Sequence, residues 1–164
     1  MIRVAILTIS DGVARGTRED RSGPKLQERA ESLGWTVNGI EVIPDERDQI
    51  AKRLKTLADA NEVSLILTTG GTGVALRDVT PEATRDVIDR EIPGMGEQMR
   101  AEGRKATPMA ALSRGMAGTR GKVLIVNLPG SPKGAVESLD AISKLVPHVV
   151  DLIEGRTEHT SVPH

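Results

Sequence analysis

Val63-Ser64-Leu65-Ile66-Leu67-Thr68-Thr69-Gly70-Gly71-Thr72-Gly73, followed by Val74-Ala75-Leu76-Arg77-Asp78-Val79-Thr80-Pro81-Glu82-Ala83, passes from an apolar run through a glycine loop and an acidic loop to a helix start. The apolar residues of Val63–Thr69 are continuous, not alternating, which predicts a strand buried on both faces of a parallel sheet. Thr80 as N-cap and Pro81 at the first helical position predict the helix. One strand, one ligand-sized loop and one helix therefore follow in order, and the rest of the chain repeats that unit.

Toward the amino terminus, Arg3–Ile9 is a second apolar, β-branched run, ended by Ser10-Asp11-Gly12. Val13–Gly23 carries three arginines, two acids and two glycines without apolar periodicity, so a mobile loop over the sheet's carboxyl edge is expected. Ser22 and Pro24 open a helix with Leu26, Ala30 and Leu33 on one face, closed by Gly34. Trp35–Ile43 reads as a strand, and Arg47–Ala60 as a helix with Ile50, Leu54, Leu57 and Ala58 inward. The β-α-β-α-β order implies parallel strands joined by right-handed crossovers.

Toward the carboxyl terminus, two short helices are expected between Gly94 and Gly118, carrying Met95, Met99, Met109 and Met116. Such methionines fill a core or form a subunit face. Lys122–Asn127 is a fourth buried strand, and Leu128-Pro129-Gly130-Ser131-Pro132-Lys133-Gly134 a second rigid loop, with Ser131 capping the final helix. Pro147 should kink or split that helix. Residues 1–155 are expected to form one domain and 156–164 a loose tail.

Composition narrows the function. The 164 residues include 22 basic and 23 acidic side chains, well mixed, for a net charge of −1. That leaves no electrostatic footprint for nucleic acid or an anionic membrane. No cysteine is present, which excludes disulfides, thiolate zinc sites and cysteine nucleophiles. Trp35 is the only aromatic residue, so there is no base-stacking platform. The opening apolar run is too short for a signal peptide, no run reaches the roughly 20 residues of a membrane span, and a cytoplasmic protein is expected.

Gly70, Gly71 and Gly73 bare successive N–H groups around Thr72, making a concave anion site at a strand's carboxyl end. Arg77 suits phosphate oxygens, whereas the adjoining Asp78 repels them unless Mg2+ lies between. The alternative is a tight turn with Asp78 beside a helix start. A dinucleotide fingerprint fails because Leu76 stands where a glycine is needed, and a P-loop around Gly121-Lys122 fails at Met116 and Val123. His148, His159 and His164 have no metal spacing.

Taken together, Thr69-Gly70-Gly71-Thr72-Gly73, Arg77-Asp78-Val79-Thr80-Pro81-Glu82-Ala83 and Asn127-Leu128-Pro129-Gly130-Ser131-Pro132 resemble the molybdopterin-binding family of the small MogA/MoaB type. Ser10-Asp11-Gly12, Asp20-Arg21-Ser22-Gly23-Pro24 and Val42-Ile43-Pro44-Asp45 extend the resemblance over about residues 2–153. Val74-Ala75-Leu76 departs from it, where members often carry polar or proline residues.

The resemblance implies a three-layer α/β/α domain with a mostly parallel, Rossmann-like sheet and short helices inserted after the third strand. It also implies transfer of AMP from Mg-ATP to the terminal phosphate of molybdopterin, with release of pyrophosphate. A homotrimer and hand-over to a protein that inserts molybdenum or tungsten are implied as well. The family's two acidic positions fall on Asp45 and Asp78, expected to be catalytic and to hold Mg2+. Ser10, Asp11, Gly70, Gly71, Thr72, Gly73, Arg77, Pro129, Gly130 and Ser131 are the expected substrate contacts. For three of these residues a structural role is the alternative: Asp45 capping the Arg47 helix, Ser131 capping the last helix, Asp11 closing a turn. The rival functions are a paralogue or scaffold that binds molybdopterin without turnover, and a generic nucleotide hydrolase or phosphatase.

Overall fold

The computed structural model describes residues 1–157. Its sheet has six strands: β1 (Arg3–Ile9), β2 (Thr36–Ile43), β3 (Leu65–Thr69), β4 (Arg90–Glu91), β5 (Ala117–Arg120) and β6 (Val123–Leu128). They lie in the order β2-β1-β3-β6-β5-β4. The first four in that order are parallel, and the β5 and β4 edge is antiparallel.

The continuous apolar runs are buried on both sides, as their composition requires. Val4, Ile6, Leu65, Leu67, Leu124, Val126 and Leu128 enter one cluster with Leu26, Met99 and Leu139. Ala5, Leu7, Ile9, Ile66, Val123 and Ile125 enter the other with Ile50, Leu54 and Ala83. Two helix layers follow from this division. α2 (Ser22–Ser32), α5 (Pro93–Arg104), α6 (Pro132–Ile142) and α7 (Val146–Ile153) cover one face; α3 (Arg47–Asp59) and α4 (Thr80–Arg85) cover the other. The expected three-layer α/β/α class holds, and Pro147 separates α6 from α7.

Four local expectations are corrected. Ser10 accepts from Val13 N (3.2 Å) and caps a short helix, α1 (Asp11–Ala14), so Val13–Gly23 is not all loop. Thr80 does not cap α4; Val79 holds that position without a side-chain bond, and the buried Thr80 hydroxyl donates instead to Gly70 O at 2.9 Å. The stretch Gly94–Gly118 is α5, a 3-10 turn (Pro108–Leu112) and the start of β5. Finally, β4 and β5 are strands that composition conceals: Arg90 and Glu91 are exposed, and Gly118 is a poor strand former. Gly118 is nevertheless required, since a Cβ there would lie 2.8 Å from Arg90 O and 2.7 Å from Ile88 Cδ1.

Of the four methionines, Met95, Met99 and Met116 are core, while Met109 is exposed. From residue 158 on, the expected tail, with His159 and His164, lies outside the described residues. No helix among the described residues is long and apolar enough to cross a membrane.

Candidate active site

The chain leaves β1 for β2 on one side and returns to β3 on the other, so the carboxyl ends of β1 and β3 diverge at a topological switch point, the ligand position of open α/β sheets. A cavity of about 730 Å3 opens there, lined among others by Ser10, Asp45, Gly70, Gly71, Asp78 and Ser131. A second cavity of about 300 Å3, mostly apolar, adjoins it through Ser131 and is lined by Thr72, Gly73, Met99, Leu112 and Pro129.

Between them runs the glycine loop. Gly70 has φ 106°, and a Cβ there would fall 2.2 Å from the Ile9 carbonyl oxygen, so no side chain fits. The loop is sewn to the Pro129-Gly130-Ser131 loop: Thr69 Oγ1 donates to Pro129 O (2.7 Å) and Gly70 N to Leu128 O (3.1 Å). The amides of Gly71, Thr72, Gly73 and Val74 donate to no protein acceptor among the described residues. Four adjacent bare donors are an arrangement able to receive an anion.

The acids meet this loop from two sides. A Cβ at Gly71 would lie 3.1 Å from Asp45 Oδ1, and one at Gly73 would lie 2.8 Å from Asp78 Oδ2. Asp45 and Asp11 exchange backbone bonds, Asp11 N to Asp45 Oδ2 (2.9 Å) and Asp45 N to Asp11 Oδ1 (3.0 Å). Arg77 then donates to both carboxylate oxygens of Asp11 (2.8 and 3.0 Å) and to Glu46 Oε1 at 2.9 Å.

The two coupled acids are consequently shifted in opposite directions. The Arg77 guanidinium holds the Asp11 carboxyl below its ordinary value, chiefly by hydrogen bonding. Burial raises the Asp45 carboxyl, and the negative charges of Asp11 and Asp78 add to the effect. The Arg77 charge opposes that rise without cancelling it, and Asp45 forms no ion pair among the described residues. Asp45 Oδ1 also has no hydrogen-bond partner among the described residues. No group of three or more His, Cys, Asp or Glu able to hold a metal occurs among them. Two carboxylate donors suit Mg2+ completed by substrate phosphates and water, not an all-protein cage.

The expected contacts divide accordingly. Ser10, Asp45, Gly70, Gly71, Asp78, Gly130 and Ser131 line the larger cavity; Thr72, Gly73 and Pro129, again with Ser131, line the smaller. Asp11 and Arg77 line neither and are occupied with each other. Asp45 does not cap α3, whose N-cap is Glu46. Ser131 does cap α6, accepting from Gly134 N at 3.1 Å.

Among the cavity residues to which the sequence reading gave no site role are Arg18, Asp20 and Arg21. Asp20 accepts from Thr8 Oγ1 (2.9 Å) and Gly23 N (3.0 Å), and its spacing from Gly23 is that of a helix-capping side chain, a signal that was available. Arg114, which touches Gly73 O, Asp78 O and Glu82, carried no local signal at all.

Fold and cavity together define an α/β domain with an open cavity at the switch point of a mostly parallel sheet. Residues 5–148 match the family model described as Probable molybdopterin binding domain. The chain belongs to that family. It is 45% identical over 158 residues to a molybdopterin adenylyltransferase of Helicobacter pylori, covering 94% of this chain and 89% of that protein. It is 40% identical over 168 residues to the molybdopterin adenylyltransferase of Escherichia coli, covering 94% and 86%. The crystal structure of the molybdopterin biosynthesis enzyme MoaB from Thermus thermophilus superposes with a TM-score of 0.89 at 52% identity, covering 94% of this chain and 98% of that one.

Proposed function

We propose that the chain is a molybdopterin adenylyltransferase of molybdenum cofactor biosynthesis, moving AMP from ATP to the terminal phosphate of molybdopterin. In that reaction a phosphate oxygen of the pterin bonds to the α-phosphorus of ATP, the bond to the β-phosphate breaks, and pyrophosphate leaves with the electron pair. Both partners are anionic, so positioning and charge neutralisation supply most of the rate.

The observation that carries this reading is the convergence of two carboxylates and four bare amides on one loop between two cavities. The amides of Gly71, Thr72, Gly73 and Val74 bind the transferring phosphoryl group and hold its charge as it develops. Asp45 and Asp78 would hold Mg2+, which would supply Lewis-acid neutralisation of the phosphate oxygens. Ser10, Gly130 and Ser131 bound the space around the reacting phosphates, and Asp11 with Arg77 keeps Asp45 in place. Turnover is favoured over mere pterin binding because both Asp45 and Asp78 line the open cavity.

We further infer a cytoplasmic homotrimer, with exposed Met109 and Leu112 as part of its apolar contact, and hand-over of the product to a protein inserting molybdenum or tungsten. The test of function is incubation of the pure protein with molybdopterin and Mg-ATP, with products read by mass spectrometry. Adenylylated pterin and equimolar pyrophosphate are expected. ADP and inorganic phosphate instead would replace this reading with nucleotide hydrolysis.

A further inference from the structure

Every carbonyl along the glycine loop is held by one of two residues outside it. Thr80 takes the first pair: its hydroxyl donates to Gly70 O (2.9 Å) and its amide to Gly71 O (3.1 Å). Arg114 takes the second pair, with its amide donating to Thr72 O (2.8 Å) and its Nε to Gly73 O (2.8 Å). The same guanidinium donates through Nη2 to Asp78 O (2.7 Å) and through Nη1 to both carboxylate oxygens of Glu82 (3.0 and 2.7 Å).

In a planar trans peptide the C=O and the following N–H point in opposite directions. Fixing the carbonyls of Gly70, Gly71, Thr72 and Gly73 on Thr80 and Arg114 therefore turns the amides of Gly71, Thr72, Gly73 and Val74 away from those two residues. Those are the four amides without a protein acceptor. Glycine peptides are otherwise free to flip, and a flipped peptide would present a carbonyl oxygen to an anion.

We propose that Arg114 and Thr80 are the positioning residues of the phosphate cradle: they touch no substrate and act by locking four consecutive peptide planes with N–H groups outward. Glu82, at the start of α4, orients the guanidinium in turn and raises the Arg114 pKa by hydrogen bonding. Arg114 also fixes the carbonyl of Asp78, so one side chain sets both the bare amides and the backbone of Asp78. The inference rests on the proposed function for its role in turnover, but the orientation of the amides can be read without any reaction.

Inorganic pyrophosphate is the probe, followed by amide chemical shifts of Gly71, Thr72, Gly73 and Val74 in the full chain. The parent should show saturable shifts at these amides. Arg114→Lys keeps the charge but loses the fork that reaches Gly73 O, Asp78 O and Glu82 together, and should bind pyrophosphate about tenfold more weakly, from the loss of contacts to a charged donor. Thr80→Val should do likewise and Thr80→Ser should restore binding. In AMP transfer, Arg114→Lys should lower kcat more than it raises the KM for molybdopterin. Melting curves keep the test open: comparison is made at a temperature where each variant is folded.

The proposal is overturned if folded Arg114→Lys and Thr80→Val bind pyrophosphate as the parent does, or if the parent's four amides do not respond. Amide shifts in a parent that transfers no AMP would leave the cradle and its positioning intact and remove the proposed function. Undiminished pyrophosphate binding by the variants, with AMP transfer by the parent, does the reverse.

Discussion

Asp11 is paired with Arg77, whereas Asp45 accepts from the Asp11 amide, makes no ion pair among the described residues and feels Arg77 only at a distance. Its folded pKa is raised above the ordinary 3.8 by burial first and by Asp11 and Asp78 after it. The folded chain therefore binds this proton more tightly than the unfolded chain. Stability from the group is complete below the ordinary carboxylate range and is lost as pH rises through the raised value. Asp45→Asn keeps an acceptor for Asp11 N and removes the charge. In the absence of divalent cations it should melt above its parent at pH 7, by about 2–4 °C for each kcal/mol relieved, with the gap closing toward pH 4. Adding Mg2+ should raise the parent's Tm and leave the variant's unchanged; a variant that melts below its parent at pH 7 contradicts an uncompensated Asp45. Asp78 was legible in the sequence because it follows a glycine loop beside Arg77, whereas Asp45 was placed only by the resemblance to the family. The role of Arg77 was not legible, because its partner Asp11 is 66 residues away and only the folded sheet edge brings them together.

Elements decide the site through their ends. β1 and β3 stop at Ile9 and Thr69 side by side, and β6 stops at Leu128, so three strand-end loops meet without any long-range sequence signal. The strands themselves were readable, because residues buried on both faces leave a continuous apolar run. β4 and β5 were hidden, because a two-residue polar strand and a glycine-bearing edge strand have neither run nor alternation. At this scale Ser131 serves twice, capping α6 and lining both cavities. Ser131→Ala should cost about 1 kcal/mol as a lost cap, a fall in Tm of about 2–4 °C. Its KM for one substrate should also rise while kcat holds. A variant as stable as the parent refutes the cap, and an unchanged KM removes Ser131 from the substrate surface. Ile66, fully buried at the centre of β3, offers a control remote from the loop: Ile66→Ala should cost about 2–5 kcal/mol by denaturant melt. A loss under about 1 kcal/mol would mean that the sheet centre is less tightly packed than its burial implies.

The molecule as a whole places two cavities on either side of one rigid loop and uses its helices to cover both faces of the sheet that carries it. The layer architecture was foreseeable from the alternation of strand and helix; the pairing of cavities was not, because it depends on how α5 and the 3-10 turn fold back against the Pro129 loop. If Met109 and Leu112 are subunit contacts, light scattering should return close to three times the chain mass of 17.5 kDa, and Met109→Asp should return the single-chain mass; a monomeric parent would contradict the trimer. The account as a whole turns on whether AMP is passed at this loop under the charge of Asp78. The measurement is single-turnover transfer of label from ATP carrying a marked α-phosphate to molybdopterin, in the parent and in Asp78→Asn at equal folded concentration. The parent should move the label into the pterin with equimolar pyrophosphate, and the variant should be slower by on the order of a hundredfold, roughly 3 kcal/mol of transition-state stabilisation. Transfer by Asp78→Asn at the parent's rate would contradict it.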